Sequence, residues 1–203
     1  MELDPFSPHA YSNLGRLHWR RRHYGTAERA LRKQIEISPL DPLAYKALGT
    51  LLVERKDYAR AAPVLEEAVA ISPGDPLAHL LLGRAQIHLK MPEKARESFD
   101  RAVEIAPHPQ VWNEIASTLA EHGILLDRAQ RYAESAVAMM TAYLRNVRLD
   151  QLRLEDLVTV TLLSQSWDTL GWVHFRKGST PAALRYLKAA WDLGHDGPVA
   201  DHL

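Results

Sequence analysis

The sequence predicts an all-α fold, a solenoid of antiparallel helix pairs stacked unit on unit. Two observations carry this. The segments Pro8-His-Ala-Tyr-Ser-Asn-Leu-Gly15, Pro42-Leu-Ala-Tyr-Lys-Ala-Leu-Gly49 and Pro76-Leu-Ala-His-Leu-Leu-Leu-Gly83 begin 34 residues apart, and a period in this range marks an array of small supersecondary units. Within each unit, apolar residues recur at spacings of three and four, as on one face of a helix, in two runs with a short break between them.

In the first unit Tyr11, Leu14 and Leu17 mark one helix face, and Tyr24-Gly25 breaks the pattern. Ala27, Ala30, Leu31, Gln34 and Ile35 start a second face that ends at Ser38-Pro39, since proline after an apolar run stops a helix. The second unit repeats this with Tyr45, Leu48 and Leu52, then Tyr58, Ala61, Leu65, Ala68 and Pro73. The third has His79, Leu82 and Gly83, then Ala95, Phe99, Ala102 and Pro107. A fourth starts at Pro109 with Trp112, Ile115 and Ala116, but Ala129, Ala133 and Ala136 of its second helix come one residue late.

No proline ends that helix, and its pattern runs on through Met139, Met140, Tyr143 and Leu144. A fifth unit is clear only at Trp167-Asp-Thr-Leu-Gly171, followed by Ala183, Leu187 and Ala190. Pro109 and Ser164, the matching start, are 55 residues apart, 21 more than the period. Leu154, Leu157, Val160 or Thr161 and Leu163 keep helical spacing through this stretch, and no Pro or Gly falls between Gly123 and Gly171. These features predict an elongated helical hairpin with its turn near 148–153. The whole chain, 1–203, then reads as a single array with units at about 8–41, 42–75, 76–108, 109–163 and 164–197. Pro198-Val-Ala-Asp-His-Leu203 reads as the opening of a further repeat, which suggests a fragment of a longer protein.

Apolar residues make up 46% and charged residues 25% of the chain, the balance of an ordinary folded protein. Lys plus Arg and Asp plus Glu both number 25, for a formal net charge of zero. That argues against a nucleic-acid or acidic-membrane partner, which calls for a basic footprint. One local run, Arg20-Arg21-Arg22 between Trp19 and His23, reads as a solvated helix end in preference to a phosphate site. The absence of cysteine excludes thiolate catalysis, disulfides and Cys-ligated zinc. No apolar stretch approaches the ~20 residues that span a bilayer. The opening Met-Glu-Leu-Asp-Pro-Phe lacks the basic and apolar regions of a signal peptide. The compartment stays open, cytoplasmic for a complete chain and periplasmic for a fragment of an exported parent.

Motifs for catalysis are missing: there is no Gly-rich phosphate loop, His-Glu-x-x-His or Gly-x-Ser-x-Gly. The ten histidines do not fall at metal-ligand spacing, and His79 and His174 sit where the repeat is apolar or aromatic. Glu66-Glu67 and Glu155-Asp156 are neighbours in sequence, so on a helix their carboxylates diverge. The expectation is a protein that is not an enzyme and needs no cofactor or metal.

The repeat resembles the tetratricopeptide repeat family, whose pattern has a bulky residue at position 4, Leu-Gly at 7 and 8, Ala at 20, an aromatic or Leu at 24, Ala at 27 and Pro at 32. With Pro8, Pro42 and Pro76 as position 1, the small residues at 8 and 20 are Gly15/Ala27, Gly49/Ala61 and Gly83/Ala95. Gln34 at position 27, and Pro92 where the first two units have Tyr24 and Tyr58, are departures. The last third resembles the carboxy-terminal repeats of some large bacterial multidomain proteins, which implies a bacterial source and a longer parent.

The family resemblance implies a right-handed superhelix whose concave wall binds protein partners. That wall is lined by the first helix of each unit at positions 2, 5, 6, 9, 12 and 13. The candidate groove residues there are Arg16 and Trp19 in the first unit and Leu43, Lys46 and Thr50 in the second. The third contributes Leu77, Leu80 and Arg84, the fourth Asn113, and the fifth Trp172 and Phe175. Arg16, Lys46 and Arg84 offer cations to a carboxylate, and the leucines and aromatic residues offer apolar anchors.

The family's two-carboxylate clamp does not fit. Its positions hold Ser12, Arg16, Ala47, Leu77 and Leu81, or one unit later Lys46, Thr50, Leu81, Gln110 and Glu114. The expected function is a scaffold that binds a peptide or helix of unknown identity. The alternative is a spacer or self-assembly element that stacks through its terminal repeat near Trp191. Whether the long hairpin binds or only buttresses is open at this stage.

Overall fold

The computed structural model describes residues 9–194, and the proposed opening of a further repeat at 198–203 lies outside them. The chain divides into two compact units, 1–105 and 106–203. The first holds three helix pairs: α1 (Ala10–Arg20) with α2 (Tyr24–Ile37), α3 (Pro42–Glu54) with α4 (Tyr58–Ile71), and α5 (Pro76–His88) with α6 (Pro92–Ile105).

Local chemistry sets the start of α3 and α5. Asp41 accepts from the Leu43 and Ala44 amides at 3.0 and 3.4 Å, and Asp75 from those of Leu77 and Ala78 at 3.0 and 3.2 Å. Each Asp thereby satisfies amides the helix leaves unpaired. Pro42 and Pro76 follow at the first helical position, where a missing N–H costs nothing.

The end of each first helix is closed by one motif. The Lys56 amide donates to the Val53 carbonyl and that of Asp57 to Leu52, both at 2.9 Å. Arg22 and His23 make the same pair of bonds to Trp19 and His18, and Lys90 and Met91 to Ile87 and Gln86. This is a Schellman closure, which needs a left-handed residue just past the helix. Arg22, Lys56 and Lys90 take that conformation, with φ of 60°, 59° and 60°. Tyr24 and Gly25 therefore begin α2 and do not break the pattern; the break lies at 21–23.

The two helices of a pair meet where the first lacks a side chain. A Cβ on Gly15 would lie 2.8 Å from Leu31 Cγ, on Gly49 2.6 Å from Leu65 Cγ, and on Gly83 2.5 Å from Phe99 Cε1. Leu31, Leu65 and Phe99 are fully buried, as are Ala27, Ala61 and Ala95. A shared core of Leu31, Leu48, Leu52, Leu65, Leu81 and Leu82 then joins one pair to the next. Leu17 departs from the expected apolar face and is 45% exposed. Among the described elements its helix packs on α2 and α3, whereas α3 packs on α1, α2, α4 and α5.

The second unit holds α7 (Pro109–His122), α8 (Leu126–Leu144), a 3-10 turn (Leu149–Gln151), α9 (Leu154–Arg176) and α10 (Thr180–Gly194). Here glycines occupy the left-handed closure, Gly123 at φ 65° after α7 and Gly178 at 78° after α9. One extra residue follows Gly123: Leu125 is itself left-handed at φ 48°, and α8 starts after it. That residue is why the alanines of this helix come late in the repeat.

At 19 and 23 residues, α8 and α9 overshoot the 11–14 of the first unit's helices and pack on each other as the predicted elongated hairpin. Ala136, Met140 and Leu163 form its inner contact, with Trp112 and Trp167 against them. Its turn end is held by Asp156, which is buried and accepts from Tyr143 O–H at 2.6 Å and from the Arg153 amide at 2.8 Å. The Tyr143 and amide hydrogen bonds hold this carboxyl below the usual range despite its burial. Among the described residues there is no strand.

The glycine contacts generate a pair of opposite predictions. Gly49→Leu should overpack the α3–α4 contact and cost about 1–3 kcal/mol. Gly25→Ala, in the first turn of α2 with nothing within 4 Å of its added Cβ, should stabilise by about 0.4–1 kcal/mol by restricting the unfolded chain. Urea unfolding of the two variants beside the native chain reads both signs.

Candidate functional site

In the first unit, α1, α3 and α5 present a cavity of about 460 Å³, a volume in the range of ligand pockets. His9, at the head of α1, and Ser12, Asn13, Arg16 and Trp19 on it line one side. Leu43, Lys46, Ala47 and Thr50 of α3, with Leu77 of α5, line the other. These residues share one wall because first helices of successive pairs pack directly on each other and helical spacing returns each set to the same face. Leu43 and Leu77 are 54% and 46% exposed, so the wall keeps apolar surface in contact with water.

Most of the polar groups at this wall are already matched within the fold. Lys46 Nζ pairs with Asp75, the carboxylate that caps α5. His9 Nδ1 lies 2.9 Å from Oδ2 of Asp41, which caps α3. Trp19 Nε1–H donates to Glu54 at 2.6 Å, and Thr50 O–H donates to the Lys46 carbonyl at 2.7 Å. Burial works to raise the Asp75 carboxyl, but Lys46 and the Ala78 and Leu77 amides outweigh it and hold the pKa below the usual range.

Three groups are left over, and one is the exposed Asn13 side chain, which makes no hydrogen bond among the described residues. Arg16 is exposed and makes no ion pair among the described residues. Ser12, one helical turn before it, is only 6% exposed, and its Oγ has no hydrogen-bond partner. The wall therefore offers an apolar face with one uncommitted cation and one uncommitted amide, and a shielded hydroxyl behind them.

Of the residues expected in the groove, Arg16, Trp19, Leu43, Lys46, Thr50 and Leu77 line this cavity. Lys46 differs from expectation in that its ammonium is engaged by Asp75. Leu80 is buried and Arg84 half-buried on α5, and neither lines the cavity. The others lie in the second unit. Asn113 on α7 has a shielded Oδ1 without a hydrogen-bond partner. Trp172 and Phe175 on α9 stack at 5.1 Å, with the Arg176 guanidinium 6.0 Å from the Trp172 ring.

A second cavity, of about 280 Å³, lies beside the hairpin among His108, Pro109, Met139, Met140, Tyr143, Glu155, Thr159 and Leu162. Sequence reasoning did not place it. Its signal was the apolar run through Met139, Met140 and Tyr143 beyond the expected helix end.

No group of three or more His, Asp or Glu among the described residues is placed to hold a metal ion. No described helix is long and apolar enough to cross a membrane.

Two tetratricopeptide repeat models match the sequence, one over residues 12–76 and the other over 52–117. No curated protein sequence is significantly similar to it. Several solved structures share the fold. YrrB, described as a TPR protein with an unusual peptide-binding site, is 20% identical, with 95% of this chain and 89% of YrrB covered and a TM-score of 0.62. MamA from Desulfovibrio magneticus RS-1, residues 41 to the end, is 18% identical, with 95% and 97% covered and a TM-score of 0.68. BtubC from P. vanneervenii is 22% identical, with 90% and 78% covered and a TM-score of 0.67.

Asp75 links the wall to stability. Its folded-state pKa is depressed, so its contribution is full above its unfolded pKa of about 3.9 and is lost as pH falls through the folded value. Asp75→Ala should cost about 1–2 kcal/mol at neutral pH through the lost cap, and the gap to the native chain should narrow below about pH 4. Urea unfolding at neutral pH and at pH 3 checks both the size and the sign.

Proposed function

Because the chain belongs to the tetratricopeptide repeat family, we propose that it is a protein–protein interaction scaffold that seats a peptide or short helix against α1, α3 and α5. The observation that carries this reading is the 460 Å³ cavity whose polar lining is matched among the described residues except at Ser12, Asn13 and Arg16. Leu43, Leu77 and Trp19 supply apolar contact, and the Arg16 guanidinium meets a carboxylate of the ligand through a charge-assisted bond. The peptide-binding site described for YrrB supports the same use of the fold. The role is non-enzymatic and needs no cofactor. The proposal treats the five helix pairs as one array, and places them in a larger bacterial protein on the resemblance of the last third.

Peptides selected from a displayed random library on the immobilised chain test it. Arg16→Ala should weaken a selected peptide by about tenfold or more, the worth of one hydrogen bond to a charged group. Leu77→Asp should abolish binding, while both variants keep the native melting midpoint within error. A selected peptide that binds both variants as it binds the native chain would move the site off this wall.

Self-association through the last helix pair is the second reading. It is supported by Leu184 and Leu193 of α10, which are 53% and 40% exposed. Light scattering that shows a monomer mass unchanged on concentration would end it.

A further inference from the structure

Whole-chain neutrality hides a basic edge on the first unit. Arg22, Lys56 and Lys90 hold the same place in three successive repeats, the left-handed residue that closes each first helix. Glycine enters that conformation without a Cβ clash, whereas any other L-residue is strained there. The second unit closes the same motif with Gly123 and Gly178. At each turn of the first unit the chain instead carries a long cation where glycine would be more stable.

Among the described residues nothing uses these cations. All three are exposed, and none makes an ion pair or side-chain hydrogen bond among the described residues. Arg20 and Arg21 beside Arg22 are likewise exposed and unpaired there. The nearby acids are engaged elsewhere: Glu54 by Trp19, Asp57 by Arg60 and Glu93 by Arg96. Cations do favour helix C-termini. In α1 and α3, however, Arg21 and Arg55 at the C-cap already meet that preference at negative φ.

The edge has a period. Helix α1 packs on α3, and α3 on α5; packed helices lie on the order of 8–10 Å apart. The three turn cations therefore form a row with a step of about 10 Å. A chain in the extended polyproline II conformation rises about 3.1 Å per residue with three residues per turn, so every third side chain returns to one face after about one step. We propose that this edge docks an extended acidic segment of a partner polypeptide, with carboxylates at every third residue facing Arg22, Lys56 and Lys90. A lipid surface or a nucleic acid would meet the same charge without needing this register.

The test uses the full chain and the triple variant Arg22→Gly/Lys56→Gly/Lys90→Gly. Since glycine suits all three turns, the variant should melt at or above the native midpoint, which separates lost binding from lost folding. The probe is a labelled peptide, Glu-Gly-Ser-Glu-Gly-Ser-Glu, followed by fluorescence anisotropy at low salt. Its control has the same composition in one block, Gly-Ser-Glu-Glu-Glu-Gly-Ser.

The native chain should bind the spaced peptide several-fold tighter than the block, and the triple variant should lose roughly tenfold in affinity for it. Equal binding of the two peptides, no binding of the spaced one, or undiminished binding by the triple variant would each overturn the proposal. Native-dependent sedimentation with phosphatidylserine-containing vesicles, without discrimination between the peptides, would overturn it in favour of a lipid surface.

Discussion

A missing Cβ sets the geometry of this molecule. At Gly15, Gly49, Gly83 and Gly171 the tip of a leucine or phenylalanine from the paired helix fills the volume a side chain would need. The two helices of a pair therefore approach closely, and the large side chain is sealed between them, with Leu31, Leu65, Phe99 and Leu187 no more than 2% exposed. The fourth pair shows the same constraint with the volumes exchanged. Its first helix has Ala116 in place of glycine, and its second has Ala133 where the others have leucine or phenylalanine. A larger residue on one helix is met by a smaller one on the other, as close packing requires.

This constraint made the fold readable. Small residues at fixed spacing and proline at helix starts are local signals, so the period, the pairs and the late register of the fourth unit could be taken from the sequence. The hairpin was legible for the converse reason: no Pro or Gly falls in 124–170, and the 3-10 turn at Leu149–Gln151 lies inside the expected break. What escaped was the turn closing α1. Its left-handed residue is Arg22, not a glycine, so the only visible breaker nearby, Gly25, drew the boundary too late.

Less of the candidate site was legible. Helical spacing puts residues on one stripe of the first helices, and Arg16, Leu43 and Leu77 of that stripe line the cavity. Spacing says nothing about what each polar tip finds. The Lys46–Asp75 and His9–Asp41 contacts join residues 29 and 32 apart, and they decide which charges at the wall are matched within the fold. Each uses a carboxylate whose other oxygen caps the next helix, so one side chain both starts a helix and neutralises the wall. Arg16 is the exception by position: the wall around it supplies the Trp19–Glu54 bond but no free carboxylate.

The two ways of closing one turn motif bear on function more than on folding. Glycine at 123 and 178 is what stability alone favours at a left-handed position. A cation at 22, 56 and 90 is less stable locally, and proteins retain such strain where something else depends on the side chain. Chance retention of a single arginine would carry little weight. Three cations at one repeat position, exposed and unmatched on adjoining turns, form a charged row that the fold's own packing keeps in register. The first unit thus offers two separate surfaces, a largely neutralised apolar wall and a basic edge. A partner that uses both would read shape on one and charge spacing on the other.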